Sequence, residues 1–196
     1  MFSGMIENNG IVKEFIKFKD YRLVIDTDLN FKEIKKGSSV CCNGVCLTVI
    51  SKKKFSKKTQ LSFDVSKETV NCTNYNQLKI GDLINIEKSL RVGDEISGHF
   101  VFGHIDDTAA LISSKKVGGS YELKFKVSKT LRKFIAKKGS VAINGISLTI
   151  NNIKKYEISL NIIPYTWSKT NLHKLKIGDR INLEVDMLAR YVTQNY

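Results

Sequence analysis

The chain has 196 residues, of which 42% are hydrophobic and 26% charged, and this balance excludes a mostly disordered polypeptide. It can bury one sizeable core or two small ones. Lys and Arg number 32 against 19 Asp and Glu, a formal charge of +13 that raises the question of a nucleic-acid partner. Only five of the 32 are Arg, the side chain that phosphate- and base-reading surfaces favour. We therefore expect no nucleic-acid partner.

Neither a membrane span nor a metal site is indicated by the sequence. No stretch approaches the roughly 18 apolar residues of a membrane helix, and Met1–Glu7 lacks the basic and then apolar build of a signal peptide. The four cysteines (Cys41, Cys42, Cys46 and Cys72) have neither the spacing of a zinc knuckle nor that of a disulfide framework. We expect a soluble cytoplasmic protein without a metal or a membrane partner.

The chain is built from one unit that occurs twice. Four sequence blocks recur in the same order at offsets of 97 to 102 residues: Gly4–Glu7 with Gly103–Asp106, Lys36–Ser38 with Lys138–Ser140, Val40–Val49 with Val141–Ile150, and Leu78–Asp82 with Leu175–Asp179. Each unit is therefore about 95 to 100 residues long, a normal size for a small domain. We predict two similar domains, 1–97 and 98–186, followed by a short C-terminal segment, 187–196.

Most of the predicted secondary structure is β. Asn43-Gly44 and Asn144-Gly145 are typical of two-residue hairpin turns, because both central residues of a type I′ turn need a positive φ. After the second turn, apolar residues alternate with Ser147, Thr149 and Asn151, as in a strand with one buried face. Short strands separated by Gly, Asn and Lys turns predict two small antiparallel barrels or sandwiches.

The remaining predicted elements follow from the same kinds of pattern. Further strands are expected at Ile11–Phe15, Tyr21–Ile25, Leu61–Val65, Leu83–Glu87, Tyr121–Val127, Ile158–Ile163 and Ile181–Val185. The expected helices are short, and they are Phe31–Lys35, Lys129–Lys137 and Met187–Val192. The single proline, Pro164, is predicted to end a strand, which suits a residue without an N–H donor.

Equivalent positions of the two copies carry a candidate nucleophile. The strand after each turn has Cys46 or Ser147, with Thr48 or Thr149 two residues later, so that a thiol or hydroxyl and a second hydroxyl share one strand face. The structural alternative is ordinary, since free cysteine in a strand packs as a small apolar residue. A nucleophile at this position in both copies favours the functional interpretation.

His99 and Asp186 are the candidate acid–base groups. His99 lies among small residues between the two copies, although a single His on a strand is often structural. Asp186 follows the last strand of the second copy, where the first copy has Ser89. Two strand exits, Asp64–Thr69 and Asn161–Thr166, offer backbone donors and acceptors to the edge of a flat heterocycle. Their structural alternative is a turn capped by Thr.

The order and spacing of these motifs match one known family. Met1–Glu7 (MFSGMIE), the doubled Asn-Gly-x-Cys/Ser-Leu-Thr, Gly98–Asp106 (GHFVFGHID) and Ile163–Thr166 (IPYT) together resemble the riboflavin synthases of the α-chain type. The resemblance spans essentially the whole chain, and its motifs are specific as a set. It implies a mainly all-β fold of two tandem, homologous six-stranded Greek-key β-barrels with short helices and a short C-terminal helix.

The resemblance also implies the reaction. Two molecules of 6,7-dimethyl-8-ribityllumazine, one bound by each barrel, dismutate by transfer of a four-carbon unit, which gives riboflavin and 5-amino-6-ribitylaminopyrimidinedione. No cofactor and no metal is implied, because the substrate supplies its own electron sink. The working site is expected where the first barrel of one subunit meets the second barrel of its neighbour in a homotrimer. Lumazine synthase is a further implied partner.

Roles are carried over from the family by position. Cys46 and Ser147 are the implied nucleophile or proton-handling pair, His99 is the proton shuttle, and Asp186 is its supporting acid or base. The implied substrate-binding residues are Gly4, Met5, Ile6, Cys46, Leu47, Thr48, Asp64, Val65, Ser66, Lys67, Glu68, Thr69, Ser97, Gly98, His99, Lys138, Ser147, Leu148, Thr149, Asn161, Ile162, Ile163, Pro164, Tyr165 and Thr166.

Two questions stay open at the level of the sequence. A non-catalytic protein that binds lumazine or flavin in the same fold is the alternative to an enzyme, although the four candidate catalytic residues favour the enzyme. Family members usually carry a longer C-terminal helix that holds the trimer together, whereas only ten residues follow Asp186 here. A helix over these residues has about three turns at most. We therefore expect a weaker trimer or one that is held differently.

Overall fold

The computed structural model describes residues 1–17 and 21–194, within which the chain forms two closed antiparallel barrels of six strands each. The first barrel contains β1 (Asn8–Lys17), β2 (Tyr21–Thr27), β3 (Ser39–Cys42), β4 (Val45–Phe55), β5 (Lys58–Val65) and β6 (Leu83–Lys88). The second contains β7 (Asp107–Val117), β8 (Ser120–Lys126), β9 (Ser140–Ile143), β10 (Ile146–Lys154), β11 (Glu157–Ile162) and β12 (Arg180–Val185). The predicted class and the two six-stranded barrels are confirmed.

The helices of the described residues are short. The α-helices are α1 (Lys67–Cys72), α2 (Pro164–Lys169) and α3 (Met187–Gln194), and the 3₁₀ turns are Phe31–Glu33, Asn74–Gln77, Arg132–Phe134 and Asn171–Lys174. The first of these turns replaces the predicted helix Phe31–Lys35. No helix in this part of the chain is long and apolar enough to cross a membrane. The last two residues of the predicted segment 187–196 lie outside the described residues.

Each barrel has the strand order of a Greek key. In the first barrel, β6, β3, β4 and β5 are neighbours in that order, so that the strand after a three-strand meander returns beside its first member. The hairpin of β1 and β2 closes this barrel. The second barrel repeats the order with β12, β9, β10 and β11, and β7 and β8 close it. Each barrel buries its own apolar cluster, which includes Phe63 in the first and Phe125 in the second.

The predicted Asn-Gly hairpins are confirmed. Asn43 and Gly44 have φ angles of 47° and 85°, and the second turn has angles of 46° and 80°. All four residues therefore adopt the left-handed conformation that a type I′ turn needs. Because the turns are alike, β3 pairs with β4 in the same register as β9 with β10. This shared register puts Cys46 and Ser147 at equivalent positions of the two barrels.

The predicted helix Lys129–Lys137 is wrong. Only Arg132–Phe134 is helical there, as one 3₁₀ turn. Leu131 and Ile135 are buried in the second core, but the Lys-rich residues after them supply no further apolar turn to pack against the barrel. The segment therefore packs a single 3₁₀ turn on the second barrel and then continues without helical structure.

Three elements escape prediction from the sequence. α1 and α2 have six residues each, which is too short for a helical period to show. Pro164 begins α2 instead of ending a strand, because the first turn of a helix leaves its N–H groups unpaired and tolerates a residue without one. β7 buries only two apolar side chains, Ala109 and Leu111, so that its alternation is weak.

Reciprocal contacts relate the two barrels across their interface. A Cβ built on Gly44 would lie 2.8 Å from the amide nitrogen of Gly145, and the reverse distance is the same. Phe2 and Val101 exchange two backbone hydrogen bonds of 2.7 and 3.0 Å. Buried asparagine amides connect the barrels around these contacts, and they belong to Asn43, Asn85, Asn144, Asn171 and Asn182. Satisfied buried amides of this kind fix how two surfaces dock.

Candidate active site

Cys46 and Ser147 lie on the outer faces of their barrels. Alternate residues of β4 fill the first core, so that Cys46 and Thr48 lie on the opposite strand face. β10 repeats the pattern with Ser147 and Thr149. Both threonines are exposed, whereas Cys46 and Ser147 are half-buried. The predicted sharing of one face by the nucleophile and the threonine hydroxyl is confirmed in both barrels.

Ser147 makes a hydrogen bond with His99. Its Oγ lies 2.7 Å from Nδ1 of His99. The backbone holds both residues, since the Ser147 amide donates to the Gly4 carbonyl at 2.9 Å and the His99 amide donates to the Ser3 carbonyl at 3.2 Å. A Cβ on Gly98 would meet the Ser3 carbonyl oxygen at 2.0 Å. The structure therefore brings the predicted residues Gly4, Gly98, His99 and Ser147 together.

Burial and the charge of Asp186 both affect the imidazole of His99. Burial lowers the pKa of its imidazole below the usual value, and the charge of Asp186 partly opposes this effect. The ring is therefore neutral near pH 7 and can take up a proton. Its buried Nε2 finds no hydrogen-bond partner among the described residues.

Asp186 has a structural role beside its predicted chemical one. Its Oδ1 accepts a hydrogen bond from the Leu188 amide at 3.0 Å, and its carbonyl accepts one from the Ala189 amide at 3.0 Å. Asp186 therefore caps the first turn of α3, a position that favours a carboxylate. The charge of the same carboxylate partly offsets the lowering of the His99 pKa by burial, so the start of α3 interacts electrostatically with the imidazole.

The surroundings of Cys46 differ from those of Ser147. The Cys46 amide donates to the Gly103 carbonyl at 3.0 Å, and a Cβ on Gly103 would lie 2.5 Å from that of Cys46. Gly103 has a φ of 77°, which a residue with a side chain rarely adopts. The neighbouring His104 is exposed, and its ring centroid lies 6.2 Å from that of Phe102. The two barrels therefore share a framework and differ in chemistry.

The two strand exits begin helices. In the first barrel Ser66 caps α1, since its side chain accepts from the Thr69 amide at 3.1 Å. The predicted capping of a turn by Thr is therefore wrong here. In the second barrel Ile163 stands at the cap without a side-chain hydrogen bond. The large residues Ile163 and Tyr165 are 56% and 67% exposed.

Several predicted substrate-binding residues offer only their backbone. Leu47, Val65 and Ile162 are buried in the barrel cores, so their side chains cannot reach a ligand.

A cleft of about 880 Å³ runs beside β3 and β6, and Met5 is the predicted site residue among those that line it. Cys46 and Ser147 are not among its lining residues. This cleft is therefore distinct from the two nucleophile-bearing faces.

Lys138 stands where the first barrel has a glycine. It has a φ of 69°, and its amide donates to the Ile150 carbonyl just as that of Gly37, with a φ of 85°, donates to the Val49 carbonyl. The block that pairs Lys36–Ser38 with Lys138–Ser140 is therefore shifted by one residue. A left-handed conformation in an exposed lysine is strained, and such strain is common at functional sites.

We expect Lys138→Gly to raise the free energy of unfolding by up to about 1 kcal/mol, because glycine adopts this φ without strain. The same variant should also bind the substrate more weakly, because it lacks the ammonium group of a residue that the family resemblance implies contacts the substrate. Urea unfolding and a ligand titration measure the two effects. Gly37→Ala is the matched control, with open space at its Cβ, and it should lose about 1 kcal/mol. A less stable Lys138→Gly would contradict the prediction.

Two site-facing residues, Glu87 and Glu184, are absent from the residues chosen by sequence. Both are buried with 3% exposure, and they occupy equivalent positions of β6 and β12. Each carboxylate accepts backbone N–H groups from the segments at Ser147 or Cys46. The signal that could have found them is the repeat itself, since Ile-Asn-x-Glu recurs at an offset of 97.

Glu184 should make stability depend on pH. Burial raises its pKa to about 7 from 4.5, although the amides of Phe102, Gly103 and His104 oppose this. The folded state then binds a proton that the unfolded state releases, so this contribution to stability exists below pH 4.5 and is lost as the pH rises through about 7. We expect the stability of the wild type relative to Glu184→Gln to fall by about 3 kcal/mol over that range. Urea unfolding at several pH values measures it, and a constant difference would contradict it.

Comparison with known proteins identifies the family to which the chain belongs. A family model described as the lumazine binding domain matches residues 3–89 and 102–186, so the protein has two such domains in tandem. The chain is 40% identical to the riboflavin synthase of Buchnera aphidicola subsp. Schizaphis graminum over 98% of this chain and 92% of that relative. It is 35% identical to that of Photobacterium phosphoreum over 98% and 87%. The chain belongs to the riboflavin synthase family and is an enzyme of the transferase class.

Solved structures share the fold. LumP complexed with riboflavin aligns with a TM-score of 0.84, and LumP complexed with 6,7-dimethyl-8-(1'-D-ribityl) lumazine aligns with 0.80. Both alignments cover 94% of this chain and 99% of the LumP chain, at 24% identity. The likeness extends across both barrels and their mutual arrangement.

Proposed function

We propose that this chain converts two molecules of 6,7-dimethyl-8-ribityllumazine into riboflavin and 5-amino-6-ribitylaminopyrimidinedione, with one molecule bound by each barrel. The observation that carries the proposal is the placement of Cys46 and Ser147 on strand pairs of the same register. Two equivalent faces that each hold a nucleophile suit a reaction whose two reactants are the same compound. Four carbons move from one molecule to the other, so that atoms and electrons balance without an external oxidant.

The second barrel supplies the acid–base chemistry in this proposal. The C7 methyl of the lumazine is acidic because its anion delocalises into the ring, and C7 itself accepts a nucleophile. Ser147 Oγ adds at C7 while its proton passes to Nδ1 of His99, 2.7 Å away, and the π electrons displaced from C7 pass into the conjugated ring. The charge of Asp186 stabilises the imidazolium that results. Cys46 holds the equivalent place against the second lumazine.

The strand exits bind the ring edges and the ribityl chains. Asp64–Thr69 offers hydroxyl, carboxylate and backbone groups, and Asn161–Thr166 combines backbone groups with the exposed apolar surfaces of Ile163 and Tyr165. Thr48 and Thr149 add exposed hydroxyls beside the nucleophiles. A flat heterocycle with a polar edge and a polyol tail needs this mixture of stacking and hydrogen-bonding groups.

The proposed assembly is a homotrimer whose sites form between the first barrel of one subunit and the second barrel of its neighbour. α3 supports this arrangement. Leu188, Tyr191 and Val192 are exposed at i, i+3 and i+4 spacing, whereas Arg190 pairs with Asp106, so one helix face is apolar and outward. The domain boundaries at 97/98 and 186/187, the cytoplasmic location and an association with lumazine synthase stay predictions.

The test is to incubate the purified chain with 6,7-dimethyl-8-ribityllumazine alone and to follow riboflavin by absorbance and fluorescence. Light scattering on the same sample measures the oligomeric state. Riboflavin formation by a trimer without added cofactor is the expected result. Tight binding without product in a well-folded trimer would overturn the enzymatic proposal and favour a pigment-binding protein. Turnover by a monomer would overturn the inter-subunit site.

A further inference from the structure

Two equivalent segments cross from one barrel to the other. We call Phe2–Ile6 the N-terminal arm and Val101–Ile105 the linker arm, because they precede β1 and β7. Ile6 packs against the core cluster of the second barrel, whereas Ile105 packs against that of the first. Each arm therefore begins one barrel and covers the other.

Each arm contacts the candidate nucleophile of the barrel that it covers. The carbonyl of Gly4 in the N-terminal arm accepts from the Ser147 amide at 2.9 Å, and that of Gly103 in the linker arm accepts from the Cys46 amide at 3.0 Å. A Cβ on either glycine would lie 2.5 to 2.7 Å from the Cβ of the nucleophile it covers. No side chain fits between the arm and the nucleophile, so a shift of an arm displaces the nucleophile that it covers.

Glu87, on β6 of the first barrel, anchors the N-terminal arm. Its Oε1 accepts from the Ser3 amide at 2.7 Å and from the Ser3 hydroxyl at 3.0 Å, and its Oε2 accepts from the Gly4 amide at 3.0 Å. The anchor and the site it serves belong to different barrels, because Gly4 contacts Ser147 of the second.

Glu184, on β12 of the second barrel, anchors the linker arm in the same way. Its Oε1 accepts from the Phe102 amide at 2.7 Å, and its Oε2 accepts from the amides of Gly103 at 2.9 Å and His104 at 3.1 Å. This arm then contacts Cys46 of the first barrel. Each glutamate therefore binds the arm that contacts the nucleophile of the other barrel.

We propose that Glu87 and Glu184 are crossed positioning residues: Glu87 of the first barrel positions the N-terminal arm at Ser147, and Glu184 of the second positions the linker arm at Cys46. An ionised carboxylate suits this role because two acceptor oxygens satisfy three donors, whereas a glutamine would turn an N–H₂ group toward backbone N–H groups. The variants are therefore compared at about pH 8, above the pKa of about 7 that burial gives Glu184. The crossing makes the geometry of each site depend on the other barrel. Its consequence for substrate binding rests on the proposed function.

The first test uses the protein without ligand. In a Cys72→Ser background, which removes the exposed thiol, Cys46 is the half-buried thiol beside the fully buried Cys41 and Cys42. Glu184→Gln should raise the alkylation rate of Cys46 by about tenfold, as the linker arm loosens, and should leave the ring ¹⁵N resonances of His99 in place. Glu87→Gln should shift the His99 resonances and leave the Cys46 rate within about twofold.

The matched pair of variants makes the outcome decisive. If each variant disturbs the site of its own barrel, or both variants disturb both sites alike, the crossed assignment is wrong. If neither readout moves, the glutamates do not position the arms. Should a glutamine variant fail to fold, Glu184→Asp or Glu87→Asp replaces it, since each keeps the charge and withdraws the oxygens by one methylene.

The second test adds 6,7-dimethyl-8-ribityllumazine. In Glu184→Gln, the lumazine concentration that halves the alkylation rate of Cys46 should rise about tenfold. In Glu87→Gln, the lumazine concentration at which the His99 ring resonances have moved halfway should rise by the same factor. If the lumazine neither protects Cys46 nor shifts His99 in the parent protein, the proposed function fails. The measurements without ligand still decide whether the glutamates position the arms.

Discussion

Replacement of Gly98 by alanine is expected to destabilise the protein by about 2 to 3 kcal/mol and to lower riboflavin formation more than tenfold. The added Cβ would lie 2.0 Å from the Ser3 carbonyl oxygen, 2.8 Å from Ser147 Cβ and 2.9 Å from Ser147 Oγ. The Ser3 carbonyl oxygen belongs to the backbone and Ser147 Cβ is attached directly to it, so neither atom can rotate away from the added methyl group. The same carbonyl of Ser3 accepts from the His99 amide, so that relief of the clash displaces the imidazole as well.

Gly119→Ala is the matched control for this prediction. Gly119 lies in the turn between β7 and β8, and nothing lies within 4 Å of its Cβ position. We expect a change of less than about 0.5 kcal/mol and unchanged turnover. Urea unfolding and the riboflavin assay are measured for both variants. If Gly98→Ala were as harmless as Gly119→Ala, the close packing of Ser3, Gly98 and Ser147 could not be important for the site.

Local signals account for what the sequence predicts correctly. The Asn-Gly dipeptides set the turn geometry through positive φ, and this fixes which residues of β4 and β10 face outward. Repetition of the blocks then predicts two copies of one barrel. The helix predicted at Lys129–Lys137 is wrong for a complementary reason. Its charged residues have good helical propensity, but an apolar stripe long enough to pack a helix on the barrel is missing.

Contacts between distant residues account for what the sequence does not reveal. His99 and Ser147 each stand out as candidates, yet nothing in their spacing indicates the hydrogen bond between them. The Gly4 carbonyl meets the Ser147 amide across 143 residues of chain. Such a contact depends on how the barrels dock, and no periodicity records that. The recurrence of Ile-Asn-x-Glu could single out Glu87 and Glu184, but it does not indicate the distant backbone N–H groups that their carboxylates bind.

The hydrogen bond between Ser147 and His99 predicts a strongly non-additive pair of variants. Ser147→Ala and His99→Asn should each lower kcat by about 10²-fold or more, because each removes one half of a proton transfer. Asparagine places an amide near the position of Nδ1 but cannot take up a proton. If the two side chains act as one unit, the double variant is no slower than the poorer single variant. Single-turnover measurements of riboflavin formation give the three rates.

His173→Asn is the matched control for this cycle. His173 Nδ1 hydrogen-bonds the carbonyls of Thr170 at 2.6 Å and Trp167 at 3.2 Å and makes no hydrogen bond with Ser147, so its replacement should leave kcat within about twofold. Losses that multiply in the double variant would instead mean that Ser147 and His99 act on different steps or different substrate molecules. The pH dependence separates the cases further. Because burial lowers the pKa of His99, kcat in the parent should hold at neutral pH and fall on the acid side of the usual histidine value. This acid limb should disappear in His99→Asn.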